Sequence, residues 1–265
     1  MSRRAAILKE MGLAPVWKLR TGTVSAPDES GQATASTATP STTRQTAAAV
    51  EARNATQQSP AAATGSREER IARMDWTELR SAVSACTACG LRAGCTQTVF
   101  GVGDEKAEWL LVGEAPGAEE DRLGEPFVGQ AGKLLDNMLA AIGLARGKNV
   151  YIANTLKCRP PGNRNPEPEE MAKCAPFLLR QIALIRPRLI LAMGRFAVHT
   201  LLQTEATIAS LRGRLHRYAG VPLIVTYHPA YLLRNLPDKA KSWADLRFAV
   251  KTLDTLRSEA QQEKV

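Results

Sequence analysis

Four short apolar runs punctuate the chain beyond residue 100: Trp109–Val112, Val150–Asn154, Leu189–Met193 and Leu223–Thr226. Near-continuous apolar stretches of this length are what strands buried on both faces look like. Helical patterns lie between them, clearest over Gly132–Leu144 and Glu169–Ile185, with Pro168 and Glu169 suited to a first helical turn. Strands that alternate with helices form a parallel sheet covered on both faces, an α/β fold. In such sheets ligands bind beyond the carboxyl ends of the strands. The residues that follow each run are therefore the place to look for chemistry.

Those residues are unusual. After the first run comes Gly113-Glu114-Ala115-Pro116-Gly117-Ala118-Glu119-Glu120-Asp121, and after the second Asn154 and then Lys157-Cys158-Arg159-Pro160-Pro161-Gly162-Asn163-Arg164-Asn165-Pro166. Gly194 follows the third, and Tyr227-His228-Pro229-Ala230-Tyr231-Leu232-Leu233-Arg234-Asn235 the fourth. Gly113 and Gly117 permit close backbone approach to a ligand. Taken singly, each has a plain structural explanation. The first loop is a turn and lacks the glycine spacing of a dinucleotide site; Asn154 caps a turn; His228, one of 3 histidines, is a satisfied structural residue. A carboxylate, an amide and an imidazole at the ends of neighbouring strands are a different matter, because they converge on one cleft.

Cysteine usage adds a second theme. No stretch approaches the ~20 apolar residues of a membrane helix, and MSRRAAILKEMGLAPVW lacks the pattern of a secretory signal. A cytosolic chain is expected, where disulfides are rare. The 5 cysteines then call for metal binding. Cys86-x2-Cys89 is a chelating pair; Cys158 and Cys174 lack the second C-x2-C of a zinc ribbon, which favours an iron–sulfur cluster over zinc. Cys95 is left over, a spare thiol or a substitute ligand.

The net charge of +9 and pI of about 9.6 suit a polyanionic partner. Residues 1–68 hold 8 basic and 5 acidic residues, leaving 27 and 21 for the rest. Residues 21–66 are dominated by Ala, Thr, Ser, Gln, Pro and Gly and bury too little apolar surface to offset ordering entropy. They are expected to be a disordered linker between a peptide, 1–20, and a folded domain, 67–265. The peptide carries Leu8, Met11, Leu13, Trp17 and Leu19. It resembles the N-terminal peptide of the psi subunit of bacterial DNA polymerase III, which implies docking on the replicative clamp loader; a frayed amphipathic terminus is the plainer alternative.

GEAPGAEED, GEPFVGQAGKLLDNML, NTLKCRPPGNRNP and YHPAYLLRN, in that order and with these cysteines, resemble family 4 uracil-DNA glycosylases from about Cys86 to Arg247. The resemblance implies a three-layer α/β/α fold around a central four-stranded parallel sheet. It implies a [4Fe-4S] cluster on Cys86, Cys89, Cys158 and Cys174 that supports DNA-contacting loops. It implies a uracil pocket on Gly113, Ala115 and Gly117 with Glu114 at its base, Phe127 stacked on the flipped base, Asn154 reading the amide edge and His228 donating to uracil O2. The Ala230–Asn235 loop would enter the duplex, with Leu232 or Leu233 as a wedge and Arg234 near phosphate. Catalysis would fall to His228, Asn154 and Glu114, in a monomer acting on uracil-containing DNA in the cytoplasm or nucleoid.

Ala115 stands where family 1 enzymes place an aspartate that positions water, as is usual for family 4. Glu120, Asp121 or backbone groups are left to hold that water. Residues 157–166 contain no histidine, unlike the related subgroup that traps the sugar covalently. Two other functions fit parts of the chain: a non-catalytic iron–sulfur nucleic-acid-binding protein, and a zinc-stabilised nucleotide-processing enzyme. The first leaves Glu114, Phe127, Asn154 and His228 without a use.

Overall fold

Each of the four apolar runs becomes a strand whose alternate side chains feed two opposite cores. A computed structural model describes residues 65–262. The expected peptide, 1–20, and nearly all of the expected linker, 21–66, lie outside the described residues. Ser66 belongs to the fold: its hydroxyl accepts from the Glu69 amide at 3.2 Å and its own amide donates to Glu69 Oε2 at 3.0 Å. This reciprocal capping starts α1 (Arg67–Arg73), and the same Asp75/Glu78 device starts α2 (Trp76–Ser84).

The order continues with α3 (Leu91–Gly94), β1 (Val102–Gly103), β2 (Trp109–Gly113), α4 (Ala118–Leu123), α5 (Gln130–Ala141), β3 (Val150–Asn154) and α6 (Pro168–Ile185). Then come β4 (Leu189–Met193), α7 (Arg195–Leu202), α8 (Ile208–Leu211), β5 (Leu215–Tyr218), β6 (Val221–Thr226), α9 (Pro229–Arg234) and α10 (Lys239–Gln262). The sheet runs β1-β3-β2-β4-β6-β5. Its central four strands are parallel, as expected from the sequence, while β1 and β5 add antiparallel edges. The central four-stranded parallel sheet is thus extended to six strands at its edges.

The edges escaped the sequence for a physical reason. An edge strand faces water on one side, so it has no continuous apolar run. β5 reads Leu-His-Arg-Tyr and alternates exposed with half-buried. It turns into β6 through Ala219 and Gly220, both at positive φ (45° and 84°), the two-residue hairpin geometry that matches strand twist.

Period-two alternation sorts the strand residues. Leu110, Val112, Tyr151, Ala153, Ile190, Ala192, Leu223 and Val225 pack against Leu178 and Ile182 of α6 and Val198 of α7. Trp109, Leu111, Val150, Ile152, Leu189, Leu191 and Ile224 pack against Leu135 and Leu139 of α5 and Leu246 and Leu253 of α10. The result is three layers, helix on sheet on helix. A smaller core of Ile71, Leu79, Val83, Phe100 and Phe177 fastens α1 and α2 to α6. At the carboxyl end of β6, buried Asp245 accepts from Thr226 Oγ1 at 2.9 Å and from Arg212 Nε at 3.0 Å and Nη2 at 2.8 Å, which pins α10 to the strand that leads into His228.

Candidate functional site

Sheet register alone brings the first two functional positions together. β2 and β3 are parallel with Gly113 opposite Asn154, so both end on the same rung. A Cβ on Gly113 would stand 2.5 Å from Asn154 Oδ1 and 2.5 Å from Phe127 Cζ, so any other residue would displace both. The missing Cβ of Gly113 thus lets Asn154 and Phe127 pack at the end of β2, and Gly113 itself is not among the residues that line the cleft. A Cβ on Gly194, at φ 89°, would meet the His228 Cβ at 2.9 Å, so the end of β4 yields to the loop after β6 in the same manner.

The cleft at these strand ends encloses about 730 Å³ and is lined by Glu114, Ala115, Gly117, Phe127, Asn154, His228 and Arg234, among others. Here the structure gathers the sequence-predicted residues. A groove of about 740 Å³ between α5 and α10 lies at the opposite end, near where Arg257 pairs with Glu108 just before β2, and takes up none of them.

Phe127 is held from its backbone. It sits at φ 57°, and its carbonyl lies only 1.7 Å from where a Cβ on Gly132 would be, so α5 must pass it with a glycine. Arg146, paired with Asp136, donates to the carbonyls of Pro126 at 2.8 Å and Phe127 at 2.7 Å. Glu120 takes the following amides, Val128 at 2.9 Å and Gly129 at 3.0 Å, and also Gly117 at 3.1 Å. The Phe127 ring ends 5.3 Å from the His228 ring at a 30° tilt.

These contacts correct one expectation. Glu120 is occupied by three backbone donors, and buried Asp121 accepts from the Thr96 amide (2.9 Å), the Thr96 hydroxyl (3.0 Å) and the Gln97 amide (3.3 Å). Neither is free to activate water. Glu114 also lines the cleft, and among the described residues its carboxylate makes no hydrogen bond. Burial raises its pKa, and the Arg195 and Arg234 charges counter part of that rise.

His228 caps α9. Its Nδ1 accepts from the Ala230 amide at 3.2 Å, so in the neutral ring the proton resides on Nε2. Burial, helped by the Arg234 charge, pushes its pKa down to about 4, and the ring is neutral at physiological pH. Asn154 is 2% exposed, and its Oδ1 has no partner among the described residues. Such an orphaned acceptor is costly unless a ligand donates to it.

The expected DNA-entering loop is the helix α9, because Pro229 at its first position and the His228 cap favour a turn of helix. Its two leucines part company. Leu232 is 1% exposed, lines a small cavity with Leu134, Met138 and Leu246, and so is not available as a wedge; Leu233 is 41% exposed. Arg234 is exposed at the rim.

The four cysteines come from three places: the segment after α2, the loop after β3 and the first turns of α6. Cys86, Cys89, Cys158 and Cys174 line one enclosed cavity of about 20 Å³; Cys95 is not among its lining residues, and all five are free thiols. Burial and then the neighbouring thiols raise the Cys158 pKa, and burial takes Cys174 to about 11. Among the described residues no group of three or more His, Cys, Asp or Glu closes on a single ion. Thiolates on one zinc sit ~2.3 Å from it, hence within about 4 Å of one another. Four free cysteines around one cavity are a donor set that fits a thiolate-ligated metal group. Arg67 Nη2 approaches Cys86 Sγ at 3.6 Å, and the Lys157 amide approaches Cys174 Sγ at 3.3 Å.

Sequence reasoning missed Lys157 as a buried residue. Its ammonium donates to the Asn154 carbonyl at 2.9 Å and to Gln181 Oε1 at 2.7 Å, and burial lowers its pKa to about 8. A lysine in a polar loop signals exposure, and nothing local says otherwise.

The description "Uracil DNA glycosylase superfamily" matches residues 100–247. The type-4 uracil-DNA glycosylase of Archaeoglobus fulgidus is 50% identical over 159 residues, 57% of this chain and 79% of that protein. That of Thermotoga maritima is 46% identical over 155 residues, 58% and 80% of the two chains. A type-5 uracil-DNA glycosylase of Pyrobaculum aerophilum is 33% identical over 146 residues, 49% and 64%. With the cleft, the strand-end motifs and these likenesses in agreement, this chain belongs to the uracil DNA glycosylase superfamily, in its type-4 branch.

Proposed function

We propose that the cleft receives a uracil flipped out of DNA and that the chain hydrolyses its N-glycosidic bond, leaving an abasic site for base excision repair. The observation that carries this reading is the buried Asn154 Oδ1, without a partner among the described residues, in one cleft with a neutral histidine whose free donor is Nε2–H. Asn154 accepts from uracil N3–H and donates to O4. Cytosine presents the reverse order, so buried groups stay unpaired at about 1–3 kcal/mol each. Flipping costs a few kcal/mol, and stacking on Phe127 returns roughly 1–3 kcal/mol.

As the bond breaks, negative charge gathers on the uracil carbonyl oxygens. His228 Nε2–H, already oriented, stabilises the charge at O2 without reorganisation. Its low pKa matters here: a neutral ring donates its Nε2–H to the developing charge without handing the proton over. Glu114 is the carboxylate we assign to orienting water or balancing the positive charge of an oxocarbenium-like sugar, since Glu120 and Asp121 are committed elsewhere. Leu233, not Leu232, fills the gap left in the duplex, with Arg234 on phosphate.

Cys86, Cys89, Cys158 and Cys174 would hold a [4Fe-4S] cluster, which supplies structural cross-linking of the α2 segment, the β3 loop and α6. We also assign residues 1–20 to clamp-loader docking; a pull-down in which their deletion leaves clamp-loader capture unchanged rejects that assignment.

A labelled oligonucleotide with one uracil, treated with the iron-loaded protein and then with alkali, tests the central reading. Scission at uracil and none at cytosine is expected. An intact uracil strand would leave the rival reading, a non-catalytic iron–sulfur nucleic-acid binder.

A further inference from the structure

We propose that Lys157 is a positioning residue that ties the uracil-reading Asn154 to the cysteine cavity. The inference rests on the base-reading role given to Asn154 above.

Residues 154–158 form one short segment with the base reader at one end and a cavity cysteine at the other. Between them Lys157 folds back on its own strand end: the ammonium donates to the carbonyl of Asn154, three residues earlier, at 2.9 Å. That carbonyl lies at the end of the parallel ladder, where the sheet offers no further partner. The second donation, 2.7 Å to Gln181 Oε1, anchors the ammonium to α6, the helix that also carries Cys174. Gln181 is fully buried and is fixed in turn by donating to the Phe100 carbonyl at 2.9 Å.

The backbone of Lys157 faces the other way. Its amide donates to Cys174 Sγ at 3.3 Å, its carbonyl accepts from the Val99 amide at 2.7 Å, and Cys158 is the next residue. One residue thus touches a cavity sulfur through its main chain and the base reader through its side chain. At 2% exposure it does so without solvent to compete for either contact. An apolar residue of equal length would leave two buried acceptors unpaired, the Asn154 carbonyl and Gln181 Oε1. The Asn154 amide would then lose the backbone support that sets its distance to uracil, and misplacement by a fraction of an ångström degrades an oriented hydrogen bond steeply.

The test uses the full, iron-loaded chain. Lys157→Met is compared with wild type for iron per chain and absorbance at about 400 nm, affinity for abasic-site DNA, inhibition by free uracil, and kcat and KM on uracil DNA. A positioning role predicts unchanged iron and abasic-site affinity, uracil affinity and kcat lower by about 10- to 100-fold, and KM within about threefold. Uracil affinity and kcat within about twofold of wild type overturn the proposal. Asn154→Ala run alongside separates the two layers of the argument. If it too keeps uracil affinity, the base-reading role fails; if it loses affinity while Lys157→Met does not, the clamp alone fails. Should Lys157→Met lose iron or prove insoluble, Gln181→Leu and Gln181→Glu decide. Both lose the donor to Phe100, but only the glutamate keeps an acceptor for Lys157, so loss of uracil affinity in the leucine variant with recovery in the glutamate supports the clamp. Equal behaviour of the two overturns it.

Discussion

The base cleft and the cysteine cavity sit on either side of one short segment, residues 154–158, yet they are built on different principles. In the cleft, sheet register and close glycine contacts set the positions. Gly113 opposite Asn154, Gly194 against His228 and Gly132 under Phe127 fix where Asn154, His228 and Phe127 stand before any ligand arrives, while the Asn154 Oδ1 atom is left without a partner among the described residues. The cavity instead gathers thiols from three segments that the sheet does not align, and burial, with the neighbouring thiols, resists ionisation of Cys158 and Cys174. The cleft is pre-organised; the cavity, on the cluster reading proposed above, is completed by what it binds. That difference teaches where damage should be local and where it should spread.

The largest effect tests the spreading side. Replacing Cys158 and Cys174 together by serine is expected to remove the iron, lower the thermal midpoint and abolish glycosylase activity at once, since metal-site free energy is folding free energy. Wild-type melting with no iron would break the contrast. On the local side, Asn154→Ala and His228→Ala are each expected to lower kcat by about 10²- to 10³-fold, the scale for deleting one oriented group at a developing charge. Both should retain full absorbance at about 400 nm. Iron loss in either would mean the cleft is less independent than its geometry indicates.

The leucine pair sharpens the comparison within a single helix. Leu232→Ala, emptying a buried position, is expected to destabilise by about 2–5 kcal/mol with modest change in kcat/KM, and Leu233→Ala to do the opposite. Chemical denaturation and steady-state kinetics on duplex DNA separate the two; a stability loss in Leu233→Ala would contradict its exposed setting.

The pH dependences are smaller. His228 has a folded pKa of about 4 against about 6.5 when unfolded. Between those values the unfolded chain binds the extra proton, so stability should rise with pH through that window and level off above it, by up to about 3 kcal/mol. His228→Asn should flatten the slope. Glu114 has a raised pKa, so the activity that needs its carboxylate should fall away, as pH drops, at a higher pH than an ordinary glutamate would give. Glu114→Gln should remove that acid limb and lower the plateau.

The central strands and the two main helices were readable because burial on both faces leaves a contiguous apolar signal, and helix amphipathicity leaves a periodic one. The convergence of Asn154 and His228 followed from that reading, since strand ends of a parallel sheet share one edge. The edge strands, with water on one face, left no such trace. Nor did the split between Leu232 and Leu233: adjacent helical residues point about 100° apart, and only the packing of α9 on α5 and α10 says which one is inside.

By itself, then, the amino-acid sequence determined the parallel α/β core, the cleft's location and the residue types that meet there. These depend on local pattern and on the rule that places loops at strand ends. Only the tertiary structure decided that Glu120 and Asp121 are spent on backbone amides, that His228 is neutral with its proton on Nε2, and that Lys157 is buried. Each of those depends on partners between 2 and 25 residues away, or on how much protein surrounds a group, and neither quantity is written in the identity of the residue itself.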